Sequence, residues 1–221
     1  MSAMRILAVA DVESRYYYEH YAPGRLADFD LILACGDLSR DYLEFLVTMA
    51  RCPLFYVPGN HDGGFLSAPP EGCVCLDGRV LRYQGLRFFG LGGAYRYRPG
   101  PYLYTEEEMR RRVRRAWPGL LRHGGFDVLV THAPARHLND LDTLPHRGFQ
   151  CFNRLIERYQ PRCFVHGHVH LSYGMHLPRR VEVGGTAVIN AYEHCVIELE
   201  PQPSRRIGLE QKGASKCTSK A

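Results

Sequence analysis

Apolar residues along this chain come mostly in short continuous runs that stop abruptly at polar residues. MRILAVAD (4–11), DLILACGD (30–37), PLFYVPGN (53–60), DVLVTHAP (127–134) and RCFVHGH (162–168) all have this form. Such runs predict strands buried on both faces of a largely parallel sheet. Between them, RDYLEFLVTMAR (40–51), the segment 105–116 and FQCFNRLIERY (149–159) fit helices. Strands alternating with helices indicate an α/β fold whose site lies at the carboxyl ends of the strands. A second set of runs predicts antiparallel hairpins: VLRYQG (80–85), LRFFGLGG (86–93), LSYGMHL (171–177), RRVEV (179–183), GTAVINA (185–191) and CVIELE (195–200), joined by Gly, Pro or Asn turns. Two stacked sheets with helices outside accommodate both sets.

Length fits one well-cored domain over 1–200, since 221 residues with 45% hydrophobic content leave little room for a second. The net charge of +5 looks like a nucleic-acid signal until it is located. Residues 201–221 hold five basic residues against Glu210, so +4 of the charge sits in a polar tail that is expected to be disordered. Nucleic acid is therefore a possible partner but not the favoured one. Within the body, RRRVRR (110–115) follows TEEEM, where Thr105 and Glu108 make a capping box and three glutamates precede three arginines by four residues. This reads as a self-neutralising helix surface, with Met109, Val113 and Trp117 facing inward.

The short run ILAVA closes on Asp11, which argues against a signal peptide, and no segment approaches the ~20 apolar residues of a membrane span. The eight cysteines include no CxxC pair, and Cys35, Cys52, Cys163 and Cys195 lie in or beside apolar runs. Reduced thiols in a cytoplasmic protein, with no membrane partner, are the expectation; the oligomeric state is not legible.

VHGHVH (165–170) places His166, His168 and His170 at alternate positions, where a strand prefers valine or isoleucine. One histidine is weak evidence, but every strand of the first set delivers a metal-ligand type to the same edge. Asp11 and Glu13 close the first, Asp37 the second, Asn60, His61 and Asp62 the third, His132 the fourth, and His168 and His170 the fifth. Mixed carboxylate, amide and imidazole ligands suit a pair of divalent ions such as Mn, Fe, Zn or Co, whereas structural zinc favours cysteine.

The ordered set D-x-E, GD, GNHD, H and GHVH, spanning residues 11–170, resembles the calcineurin-like metallophosphoesterase family, whose pattern is D-x-H, GD, GNH plus an acid, H, and GHxH. The resemblance implies a four-layer αββα sandwich with two stacked mixed sheets. It also implies a first metal held by Asp11, position 13, Asp37 and His170, and a second held by Asn60, His132 and His168 with Asp37 bridging. His61, oriented by Asp62 or a backbone group, would sit over the substrate phosphate, and His166 would be a bystander. Arg40 and Asn60 are candidate phosphate contacts. Two cations, Mn foremost with Fe, Zn, Co or Mg as alternatives, imply a phosphoesterase attacking a small phosphate ester or nucleotide with a bridging hydroxide, phosphodiesters slightly favoured.

Glu13 departs from the family's histidine; as a ligand it would favour harder ions such as Mn or Mg. The alternative is a metal-poor protein-interaction scaffold on the same fold, like the family's relative in retromer. Tyr16, Tyr17, Tyr18, Tyr95, Tyr97, Tyr102 and Tyr104 fall in two loops that either stack on a substrate or simply pack.

Overall fold

The computed structural model describes residues 3–173 and 177–200. The basic tail expected at 201–221, and positions 174–176 of the strand expected at 171–177, lie outside the described residues. A first sheet joins β1 (Met4–Ala10), β2 (Leu31–Ala34), β3 (Leu54–Tyr56) and β4 (Val74–Cys75) in parallel, with β13 (Glu193–Leu199) antiparallel on the outer side of β1. The second sheet has β6 (Leu86–Leu91), β9 (Val128–Thr131), β10 (Cys163–His166) and β12 (Thr186–Asn190) in parallel. Antiparallel edges, β5 (Val80–Tyr83) and β11 (Arg180–Val183), flank them. A small parallel pair, β7 (Ala94–Tyr95) and β8 (Leu103–Tyr104), stands apart and was not legible in the sequence.

Period-two alternation explains why the inner strands read as continuous apolar runs. Ile6, Ala8 and Ala10 of β1 meet Val128, Val130 and Val165 between the sheets, while Leu7 and Val9 turn outward. There they pack under α1 (Arg40–Ala50), whose Tyr42, Leu43 and Leu46 are buried against them. Leu129 and Phe164 of the second sheet turn the other way, under α2 (Glu106–His123) and α3 (Gln150–Tyr159). The layers are therefore helix, sheet, sheet, helix. Within them the two sets of runs interleave: the hairpin strands share a sheet with β9 and β10, and β13 closes on β1. Residues 171–173 form a 3-10 turn, so no strand runs through them as the sequence suggested.

Two helices differ from expectation in instructive ways. The capping box at Thr105 and Glu108 is present, but α2 continues past Pro118 to end at Gly124, whose φ of 67° closes it. Proline removes one hydrogen bond without ending this helix. Its buried stripe is Met109, Ala116 and Leu120, while Trp117 is half-buried beneath the Arg158 guanidinium at 4.4 Å. The start of α3 lacks a side-chain cap from Phe149; instead Glu106 of α2 accepts from the backbone N–H groups of Gln150 and Cys151, both at 2.9 Å. Glu106→Ala is expected to lower the unfolding free energy in urea by about 1 kcal/mol, the size of a lost N-cap.

No helix among the described residues is long and apolar enough to cross a membrane. The seven described cysteines are free thiols, and Cys73 and Cys75 pack against the α1 side core.

Candidate metal centre

The parallel strands of both sheets finish at one edge of the sandwich, and the chain turns sharply where they do. Asp11, Asp37 and His168 have φ of 65°, 57° and 68°, left-handed backbone that costs about 1–3 kcal/mol per residue and persists where function demands it. The strand ends are stitched together by Asp11 N–H to the Gly36 carbonyl at 3.1 Å and Gly167 N–H to the His132 carbonyl at 3.0 Å. The glycines of the motifs permit this closeness: a Cβ at Gly59 would fall 2.1 Å from Asp37 Oδ1, and one at Gly167 would fall 2.7 Å from Asp11 Oδ2.

His132 is fully buried and is the hub. Its Nδ1 donates to the Cys35 carbonyl at 2.7 Å, which aims Nε2 at Asn60 Oδ1 (3.0 Å), His168 Nδ1 (3.1 Å) and Asp37 Oδ2 (3.3 Å). His168 is set the same way, its Nε2 donating to the Pro145 carbonyl at 2.8 Å and leaving Nδ1 inward. Backbone acceptors behind ligand imidazoles fix ring tautomer and direction. One ligand atom from each of Asp37, His132 and His168 lies within 4.8 Å of the others. Beside them, Asp11 accepts the His168 N–H at 2.9 and 3.0 Å on its two oxygens, and His170 Nε2 stands 3.9 Å from Asp11 Oδ1.

The electrostatics suit a cation. Burial pushes the Asp11 carboxyl up to about 7, helped by Asp37 and Asp62 and opposed by His132 and the His168 N–H. Burial also raises Asp37, but the facing His132 and the His61 N–H at 2.7 Å prevail and hold it below the usual carboxylate range. Burial disfavours charge on His132, yet Asp37 and then Asp11 lift it to about 9. Burial and His132 together hold His168 well below the usual imidazole range. Two buried carboxylates thus face one imidazole and favour its protonation, and the other atoms turned inward, Asn60 Oδ1 and His168 Nδ1, are acceptors. A carboxylate, amide and imidazole set meeting at one point fits a divalent first-row cation better than a thiolate-seeking one.

A cleft of about 290 Å³ opens over this cluster, walled by Asp11, Asp37, Asn60, His61, His168 and His170 together with Tyr97, Pro145, His146 and Tyr173. His61 is exposed at its lip. Three expected roles change. Asp62, expected to orient the His61 ring, accepts backbone N–H groups of Gly59 (2.7 Å) and Asp37 (2.9 Å) instead, bracing the two loops. Arg40, expected at phosphate, is committed to Glu44 (2.6 Å) and Glu71 (2.9 Å) away from the cleft wall. Glu13 is half-buried and off the cleft wall. It lies toward α1, where burial and, secondarily, the Glu13 carboxylate push the Tyr42 hydroxyl up.

His166 is fully buried on the helix-facing side beside Phe164, and burial pushes its imidazole down to about 4. Of the seven loop tyrosines, Tyr97 reaches the cleft. Tyr17 is buried, Tyr18 packs on Tyr42 and Phe45, Tyr95 packs on Phe149, and Tyr104 lies under Arg112. The sequence reading missed Pro145, His146 and Tyr173; the first two sit in a loop and Tyr173 in a 3-10 turn, away from the strand ends that flagged the other residues.

Comparison with known proteins agrees with this fold. The model of the calcineurin-like phosphoesterase family matches residues 4–172. UPF0046 protein K07C11.7 of Caenorhabditis elegans is 26% identical over 194 residues, covering 74% of this chain and 62% of that protein, so the chain spans less than two thirds of this relative. An uncharacterised Haemophilus influenzae protein is 26% identical over 176 residues, covering 64% of this chain and 73% of its own length. TT1561 of Thermus thermophilus superposes with a TM-score of 0.60 at 16% identity, covering 87% of this chain and 90% of that one, a likeness of fold.

Proposed function

Because this chain belongs to the calcineurin-like phosphoesterase family, we propose that it hydrolyses a small phosphate ester, with two divalent cations held in the cleft. The observation that carries this reading is the convergence of Asp37, Asn60 and His168 on His132 Nε2 within 3.3 Å, each imidazole backed by a carbonyl. Asp37, Asn60, His132 and His168 would hold one cation; Asp11, Asp37 and His170 would hold the other. When bound, the pair supplies a water acidified toward neutral pH and neutralises charge on the phosphoryl oxygens. Manganese suits this oxygen and nitrogen donor set.

The chain's own residues do the rest. Asn60 turns Oδ1 toward His132, which leaves its amide N–H groups to bind a phosphoryl oxygen. The His61 backbone N–H is tied to Asp37 while its ring is exposed at the lip, placed to donate a proton to the leaving oxygen. Asp62 keeps the two loops in register. Tyr97, His146 and Tyr173 form the wall that the ester group touches. The cleft opens to solvent and is about 290 Å³, which favours a small phosphodiester over a monoester, a nucleotide among the candidates. We place the protein in the cytoplasm, where its thiols stay reduced. A protein-binding scaffold gives no role to two carboxylates and two inward-facing imidazoles converging beneath an open cleft, whereas a cation-binding enzyme does.

The test is hydrolysis of bis(p-nitrophenyl) phosphate and p-nitrophenyl phosphate by chelated protein before and after Mn is restored. Turnover that appears with Mn and prefers the diester is expected; no turnover of either ester with Mn would overturn the reading. His61→Asn is expected to lower kcat by roughly 10²–10³-fold, the range of a lost general acid, with metal content unchanged.

A further inference from the structure

His132 and His168 are each steered by a ring N–H donated to a backbone carbonyl. His170 is steered differently. Its ring stacks on Tyr173, with centroids 4.7 Å apart and planes 12° from parallel, and packs on Tyr192 at 4.8 Å and 34°. Tyr173 in turn meets the ring of His146 at 5.1 Å.

Tyr192 is fixed with unusual care for a turn residue. Asn190, 1% exposed, accepts the Tyr192 N–H at 2.9 Å and donates its own amide to the Val169 carbonyl at 2.6 Å, one residue before His170. The next N–H, of Ala191, bonds the His166 carbonyl at 2.7 Å. Tyr192 also bridges to Ala10, the residue before Asp11. A single buried amide therefore locks Tyr192 to the turn that carries His170, while a backbone bridge holds it to the strand end that carries Asp11.

We infer that Tyr192, held by Asn190 and assisted by Tyr173, is a positioning residue for His170 and so sets the affinity of the Asp11–Asp37–His170 position for its cation. This rests on the two-cation reading above. An imidazole on a turn has several rotamers, and two aromatic rings leave it the one that points Nε2 toward Asp11. The ring does this work and the hydroxyl does not, so phenylalanine should serve as well as tyrosine at 192. The other position draws on His132 and His168, which these rings do not steer.

The experiment is Mn titration of the full chain by calorimetry, followed by electron paramagnetic resonance of the same samples. The unaltered chain is expected to bind two Mn and show a spin-coupled pair. Tyr192→Leu and Asn190→Ala are expected to weaken one site by roughly 10–100-fold, the range for partners behind a metal ligand. They should leave the other site intact and show isolated Mn at intermediate loading; Tyr192→Phe should restore both. Tyr192→Leu keeps most of the volume, so it reports even if Asn190→Ala unfolds. Two unaltered sites in Tyr192→Leu, or equal weakening of both, would overturn the inference while leaving the two-cation reading standing. Fewer than two sites in the unaltered chain would overturn both.

Discussion

Replacing His132 with alanine is expected to abolish retention of the cation assigned to Asp37, Asn60, His132 and His168 and to lower Mn-dependent ester hydrolysis by roughly 10³-fold or more, at least about 4 kcal/mol of transition-state stabilisation. Among the described residues it links the most of the centre: its two nitrogens reach Cys35, Asn60, His168 and Asp37. The same variant has a second signature in the chelated protein. His132 is lifted from an ordinary 6.5 to about 9 by carboxylates it faces. A raised folded pKa contributes stability that is full below the unfolded value and is lost as pH rises through the folded one. The stability deficit of His132→Ala relative to the chelated parent should therefore be largest at pH 6 and shrink above pH 9, read from urea unfolding at the two pH values. A deficit independent of pH would mean that His132 contributes by packing alone.

Gly59→Ala is expected to be nearly as damaging although it adds only one methyl group, at a residue that itself binds no ligand. The new Cβ would lie 2.1 Å from Asp37 Oδ1, 2.5 Å from Asp37 N and 2.6 Å from its Cγ. The two backbones are tied together, because Asp62 Oδ2 accepts the N–H of both Gly59 and Asp37, so the strain falls on the Asp37 carboxylate. Asp37 must move, and Asp37 is the ligand shared by both proposed cations. Overpacking of this kind costs about 1–3 kcal/mol in folding, and a displaced shared ligand should lower turnover by roughly 10²-fold, about 2.7 kcal/mol. Gly64→Ala is the control, since nothing lies within 4 Å of its Cβ position, and it should retain both stability and rate. Full activity in Gly59→Ala would show that Asp37 does not need its observed place.

The residues that close each buried strand were readable because a parallel strand both announces itself as an apolar run and fixes where its end must lie. Asp37, Asn60, His132 and His168 follow directly from that logic. Direction at a turn is another matter. Val12 N–H bonds back to the Ala10 carbonyl at 2.7 Å, and two residues after Asp11 the chain has carried Glu13 off the cleft wall. Arg40 begins α1, and its neighbours along and across the helix, Glu44 and Glu71, claim it first. Asp62 was placed in the right loop, but its partners are backbone groups that no sequence pattern reveals. Pro145, His146, Tyr173, Asn190 and Tyr192 act through tertiary contacts between segments distant in the chain, and although Asn190 ends a strand read as GTAVINA, its partners Val169 and Tyr192 follow from no sequence pattern. The helix expected over 105–116 runs on to His123 through Pro118, because an exposed helix can lose one hydrogen bond and continue.

The most direct measurement is anomalous diffraction at the Mn edge from crystals grown with Mn. Two peaks are predicted, one coordinated by Asp37, Asn60, His132 and His168 and the other by Asp11, Asp37 and His170. No peak in the cleft, or a peak held by other residues, would contradict the proposed centre and with it the phosphoesterase chemistry assigned to this chain.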